Sequence, residues 1–193
     1  MFARIGLLAV FAFASVAVGG DGERSLTVTT SRALPKIETV VVYKAGDVKP
    51  GKERPKPLLS SSTFGEPIAL PGNGPYDVYI KPKGQTEVLA AGNLAVKPGE
   101  PVELKLVEKL GAVQVFQNDN SPRLGKIVLT AQDDPGPDEK GHVAVQVGTE
   151  YREELVVPEG FYAVWLVPGN GARAQRIADR IRVLAGRTVR VGD

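Results

Sequence analysis

His142 is the only histidine in this 193-residue chain, so histidine-dependent chemistry has one candidate. A Ser/His/Asp triad would need it as the base that takes the serine proton, and a histidine-based metal cluster cannot be assembled within one chain. The residue stands in DEKGHVAV, beside an acidic stretch. There Asp133, Asp134, Asp138 and Glu139 offer the oxygen ligands that calcium prefers. Their spacing follows neither an EF-hand nor an RTX pattern, and Pro135, Gly136 and Pro137 interrupt them. The expectation is a solvated turn ending in an exposed histidine, with these four acids as weak calcium candidates. Cysteine is absent, which removes thiolate nucleophiles, thiolate zinc sites, iron–sulfur clusters and disulfides together. The 22 glycines form no P-loop or dinucleotide fingerprint. The chain is therefore expected to be non-catalytic, without cofactor or resident metal.

Binding chemistry has better candidates. Trp165, the only tryptophan, lies in AVWLV, and Tyr79 lies out of phase with the apolar Val78 and Ile80. Either ring could face outward and stack on a sugar. Arginines crowd the end of the chain, and strand alternation would put Arg180, Arg182 and Arg190 on one solvent-facing surface, suited to an anionic polysaccharide or an acidic protein. The loop from Lys49 to Lys56 is basic where the stretch from Asp133 to Lys140 is acidic, so these loops could meet head to tail. Nucleic acid is not an expected partner, because the formal net charge of +2 gives no broad basic surface.

The elements that must position these residues are organised by an internal repeat. PKIETVVVYKAGD, beginning at Pro35, aligns without gaps to PRLGKIVLTAQDD, beginning 87 positions later at Pro122. Glu66/Glu153, Pro71/Pro158, Val96/Val183, Gly99/Gly186 and Val102/Val189 keep the same offset, while Gly74/Gly160, Tyr76/Tyr162, Val78/Val164 and Pro82/Pro168 stand 86 apart. A period this long exceeds those of solenoid repeats, so each copy is expected to be a whole domain. Seven short apolar segments recur in each copy, mostly alternating with period two between Gly and Pro clusters. In the first they centre on Leu26/Val28, Val40–Val42, Leu58/Leu59, Ile68/Leu70, Tyr76/Val78/Ile80, Leu94/Val96 and Val102/Leu104/Leu106. This is the punctuation of a β-sandwich. One segment dissents: from Ala172 to Gly186, Ile177, Ile181 and Leu184 fall at helical spacing. Its counterpart from Gln85 to Gly99 contains helix-breaking Gly92, Pro98 and Gly99, so strand is expected in both.

A pattern of Pro, Gly, x, Tyr, an alternating strand and then V-x-x-G-x-x-V occurs twice, in PGNGPYDVYIKPKG with VKPGEPV and in PEGFYAVWLVPG with VLAGRTV. It resembles the carboxypeptidase-regulatory-like and transthyretin-like group of bacterial β-sandwich modules. The resemblance covers about half of each copy and implies a fold, an exported setting and an accessory role; it carries over no catalytic residue. The expected fold is all-β, with two tandem Ig-like or prealbumin-like antiparallel β-sandwich domains from an internal duplication, at 25–107 and 112–193. The short link between Leu106 and Val113 should hold them close.

Residues 1–19 read as a signal peptide: Arg4 precedes an apolar run from Ile5 to Val18, and small residues Ala17, Gly19 and Gly20 follow. The run is short for a bilayer span, which needs about 20 residues. The expectation is a secreted or periplasmic chain without a membrane span after cleavage, acting as a structural or interaction protein on an unidentified protein or polysaccharide. A carbohydrate-binding accessory role is the alternative.

Overall fold

β-Branched and aromatic residues recur two apart in this chain, a spacing that lines one face of an extended strand. The computed structural model describes residues 23–31, 34–72, 74–117, 121 and 123–192, so the expected signal peptide lies outside the described residues. In the first half the strands are β1 (Ser25–Thr29), β2 (Ile37–Lys44), β3 (Leu59–Ser61), β4 (Pro67–Ala69), β5 (Tyr76–Pro82), β6 (Val88–Leu94) and β7 (Val102–Lys105). One turn of 3-10 helix, Leu106–Glu108, leads to β8 (Leu110–Val115), β9 (Leu124–Ala131), β10 (Ala144–Gly148), β11 (Glu154–Pro158), β12 (Gly160–Pro168), β13 (Gln175–Val183) and β14 (Thr188–Val191).

Each half forms a three-stranded and a four-stranded sheet with one shared strand order. In domain 1 the orders are β4-β1-β7 and β3-β2-β5-β6; in domain 2 they are β11-β8-β14 and β10-β9-β12-β13. Leu26, Val28 and Leu104 of one sheet join Val40, Val42, Val78 and Ile80 of the other in a single buried cluster. Val113, Val115 and Leu155 meet Ile127, Leu129, Val164 and Leu166 in the same way. Both are sandwiches, each core side chain contributing about 1.5–3 kcal/mol through burial.

Register agrees residue by residue. Leu26 pairs with Val102 and Ile68, while Val113 pairs with Val189 and Leu155, each member displaced by 87. Val40 opposite Ile80 corresponds to Ile127 opposite Leu166, displaced by 87 on one strand and 86 on the other. The strands are predominantly antiparallel, but β1/β7 and β8/β14 are parallel. The intervening five strands supply the long crossover that a parallel pair needs.

Some boundaries differ from the sequence reading. The sixth strand of domain 1 is centred earlier than Leu94/Val96, and Val96 is buried just beyond it. The third strand starts at Leu59, leaving Leu58 exposed. The segment with helical spacing is strand β13.

Domain 2 contributes side chains to the domain 1 core. Leu110 of β8 and Val156 of β11 lie in the domain 1 cluster, beside Leu106 of the 3-10 turn, although β8 and β11 belong to domain 2 sheets. The motif tyrosines point inward, Tyr76 donating to the carbonyls of Pro71 and Gly72 at 3.1 and 3.0 Å, and Tyr162 to that of Pro158 at 2.7 Å. A Cβ on Gly74 would collide with the Tyr76 ring, and one on Gly160 would stand 3.1 Å from the Tyr162 hydroxyl. The Gly-x-Tyr spacing therefore makes room for the ring.

Candidate functional site

Tyr79 and Trp165 occupy matching outward positions on β5 and β12, as their pairings with Val41 and Val128 place them. Neither is an open platform. Over Tyr79 the Arg54 guanidinium carbon sits 4.5 Å from the ring centroid, and Tyr43 packs edge-on at 5.5 Å, leaving Tyr79 only 9% exposed. The Tyr43 hydroxyl donates to Glu87 at 3.0 Å. Burial first, and the neighbouring Glu87 carboxylate second, push the Tyr43 phenol up to about 12. Trp165 donates from Nε1 to Thr130 Oγ1 at 3.1 Å, and the Arg176 guanidinium lies 5.3 Å from its ring. The loop between β9 and β10 folds back so that Gly136, at φ +106°, lies against the indole; a Cβ there would stand 2.6 Å from Cη2. Trp165 thus borders a cavity of about 130 Å³ with Asp138, Glu139 and Arg173.

The acidic stretch builds that loop. Asp134 Oδ1 accepts from the Gly136 amide and faces His142 Nδ1, both at 2.8 Å, while Oδ2 accepts from the Val143 amide at 2.8 Å. Burial alone would raise its pKa, but the bonds to His142, Val143 and Gly136 outweigh it and hold the carboxyl below its usual value. Asp138 accepts instead from the Ala174 amide at 2.7 Å, tying the loop to the β12–β13 hairpin. His142 is accordingly partly buried rather than an exposed loop end. Asp133, Asp134, Asp138 and Glu139 do not converge: among the described residues no group of three or more His, Cys, Asp or Glu is placed to hold a metal ion. The Pro-Gly-Pro interruption carries Asp138 toward β13 while Asp134 turns inward.

The three arginines separate as well. Arg180 and Arg182, on β13, lie 5.5 and 6.0 Å from the Phe161 ring. Arg190 is on β14, in the other sheet, and lies 5.6 Å from Phe116, as does Arg152. A single arginine face fails because β13 and β14 belong to opposite sheets of the sandwich. No ion pair joins the Lys49–Lys56 loop to the acidic stretch among the described residues; Arg54 is 3.8 Å from Glu87 instead.

The junction holds the residues that sequence reasoning missed. Gln85 of domain 1 donates from Nε2 to the Glu154 carbonyl at 2.7 Å and accepts at Oε1 from the Val156 amide at 3.0 Å, engaging the edge strand β11 of domain 2. Gln146 of domain 2 returns the arrangement: its Oε1 accepts from the Thr86 hydroxyl at 2.6 Å and amide at 3.3 Å, and its Nε2 donates to the Thr86 carbonyl at 3.4 Å. Two side-chain amides thus act as β-bridges across the junction. Both glutamines are buried, and among the described residues no buried side-chain polar atom lacks a partner. A signal existed, since the counterparts of Gln85 and Gln146 are Ala172 and Leu59. Beside this clasp lie two clefts of about 510 and 450 Å³, the first lined by Arg54, Lys81, Gln85 and Val145, the second by Lys49, Lys52, Leu89 and Val143.

Comparison with protein-family models and with curated proteins finds no match. Among solved structures, the chain is similar to a leucine-rich repeat protein from Bacteroides thetaiotaomicron, at 12% identity over 88% of this chain and 25% of that one. The TM-score of 0.21 is too low to assign a fold.

Among the described residues Tyr43, Asp134 and Tyr162 have clearly displaced titration, the last raised to about 12 by burial, and each has the structural partner described above. No helix among the described residues is long and apolar enough to cross a membrane, which leaves strand-borne insertion untouched.

Proposed function

We propose that this chain is an exported, non-catalytic interaction protein whose two sandwich domains, of the carboxypeptidase-regulatory-like or transthyretin-like kind, arose by duplication and work as one rigid unit. The observation that carries this reading is the reciprocal Gln85/Gln146 clasp beside Leu110 and Val156, which pack into the domain 1 core. Domains joined only by a flexible link reorient by default unless their interface is substantial; here side-chain amides satisfy the edge of the neighbouring domain and apolar side chains cross between cores. Rigid coupling suits a spacer or a docking platform. The matching register supports duplication, and the Met1–Gly20 composition supports export.

The test has two arms. Small-angle scattering of the mature chain should fit one rigid body, and a Q85A/Q146A double variant should give a broader pair-distance distribution; identical profiles would remove the clasp from the explanation. N-terminal sequencing of the protein recovered outside the cytoplasm should begin between Val18 and Gly20, and an intact Met1 in a cytoplasmic fraction would overturn export.

A further inference from the structure

Domain 2 carries two phenylalanine–arginine clusters that domain 1 cannot form. Phe161 is 46% exposed beneath Arg180 and Arg182, and Phe116, just past β8, is flanked by Arg152 and Arg190. The matching domain 1 positions hold Pro75, Asn93 and Ala95 for the first cluster, and Thr29, Gly65 and Glu103 for the second. All four arginines are exposed, and none pairs with a carboxylate among the described residues. Two of them also sit in unfavourable backbone: Arg152 and Arg180 have φ of 66° and 51°, where domain 1 has Gly65 and Asn93. Glycine and asparagine take the left-handed region most readily, whereas a long side chain there is uncommon. Strained residues persist where something else over-determines them, and that points toward function.

The chemistry follows from cation–π contact. A guanidinium lying over an aromatic ring keeps its planar fork of N–H donors free at the edge, and it is hydrated weakly enough to exchange water for a carboxylate held bidentately. Phe161, left partly exposed, offers apolar surface to the C–H face of a sugar. Both clusters are alike, yet they lie on opposite sheets of one sandwich. A bilayer or a folded acidic protein would meet one of these outward faces at a time; a long flexible polyanion reaches both. We propose that domain 2 binds an anionic, carboxylate-bearing polysaccharide through Phe161, Arg180 and Arg182 on one face and Phe116, Arg152 and Arg190 on the other. This deepens the interaction role proposed above by naming its partner class.

The test is affinity electrophoresis and calorimetry of the mature full chain against polygalacturonate, with neutral dextran and anionic phospholipid vesicles as comparison arms. Polygalacturonate should bind at low ionic strength and weaken as salt screens the pairs, while dextran should not bind. R180S/R182S and R152S/R190S should each weaken binding roughly tenfold and the quadruple variant about a hundredfold, as expected for losing one good charge-assisted contact per cluster. R180K/R182K should recover only part of the loss, since lysine keeps the charge without the fork. Absent binding at low salt, an unaltered affinity in the quadruple variant, or capture by vesicles in preference to polygalacturonate would each overturn the proposal. Scattering profiles of the same variants test the rigid two-domain reading separately, so one can fail without the other.

Discussion

A carboxylate that accepts several hydrogen bonds titrates low, and Asp134 accepts from two backbone amides while facing His142. Its pKa is depressed in the folded chain, so its contribution to stability is fully present above the unfolded carboxylate value of about 3.9 and is lost as pH falls through the folded value. The affected element is the loop that carries Gly136 onto the indole of Trp165, the chain's only tryptophan. Intrinsic fluorescence should therefore shift to the red as pH drops below about 4, before global unfolding by circular dichroism. D134N should show the shifted spectrum at neutral pH and a flattened acid response. Coincident fluorescence and dichroism transitions in the parent chain would separate the loop from Asp134. G136A tests the same contact sterically, since the new methyl meets both a positive φ and the indole; a loss of about 1–3 kcal/mol is expected from overpacking. None of this was legible in the acidic spacing, which names ligand types but not which carboxylate turns back onto its own loop.

At the scale of elements the sequence was most legible where apolar residues ran without interruption. Val40–Val42 and Ile127–Leu129 lie in paired central strands in register across the domains. Alternation misled in the sixth strand of each domain. In β13, Tyr162 is opposite Ile181 and Val164 opposite Ala178, so a bulge puts two inward residues three apart and imitates helical spacing. Ile177 and Leu184, which completed the apparent helical stripe, are 37% and 41% exposed. The same irregularity recurs where Tyr76 opposes Leu94 and Val78 opposes Ala91, with Asn93 in the left-handed role that Arg180 plays. The helix-breaking Gly92, Pro98 and Gly99 of the matching segment mark the strand, although the spacing in neither half reveals its bulges. Because Arg180 occupies backbone that asparagine tolerates better, R180N should raise the melting temperature by a few degrees, corresponding to about 1 kcal/mol of relieved strain, while weakening polyanion binding. A fall in melting temperature would show that stacking on Phe161 outweighs the backbone cost.

At the scale of the molecule the decisive residues are those where the two halves differ. Leu59 packs against the domain 1 core, whereas its counterpart Gln146 is fully buried and spends its amide on Thr86. Positions common to the two halves explain folding, whereas the junction is assembled from positions that differ between them, where the sequence marks a difference but not the contact it makes. Q146L restores the apolar residue that the domain 1 scaffold uses, so domain 2 should remain folded while Thr86 loses its partners. Q85A leaves the buried Val156 amide and Glu154 carbonyl unpaired, at about 1–3 kcal/mol for each group. If the clasp couples the domains, the parent chain should melt in one calorimetric transition whose van't Hoff and calorimetric enthalpies agree, and the double variant should split into two. A double-mutant cycle should give a coupling energy of about 0.5–3 kcal/mol, because the two glutamines flank the same strand β11 without sharing a bond: Gln146 Nε2 also reaches the Val156 carbonyl, at 3.3 Å. Additive single effects with one persisting transition would instead assign the coupling to Leu110 and Val156, the apolar residues of domain 2 strands that pack into the domain 1 core.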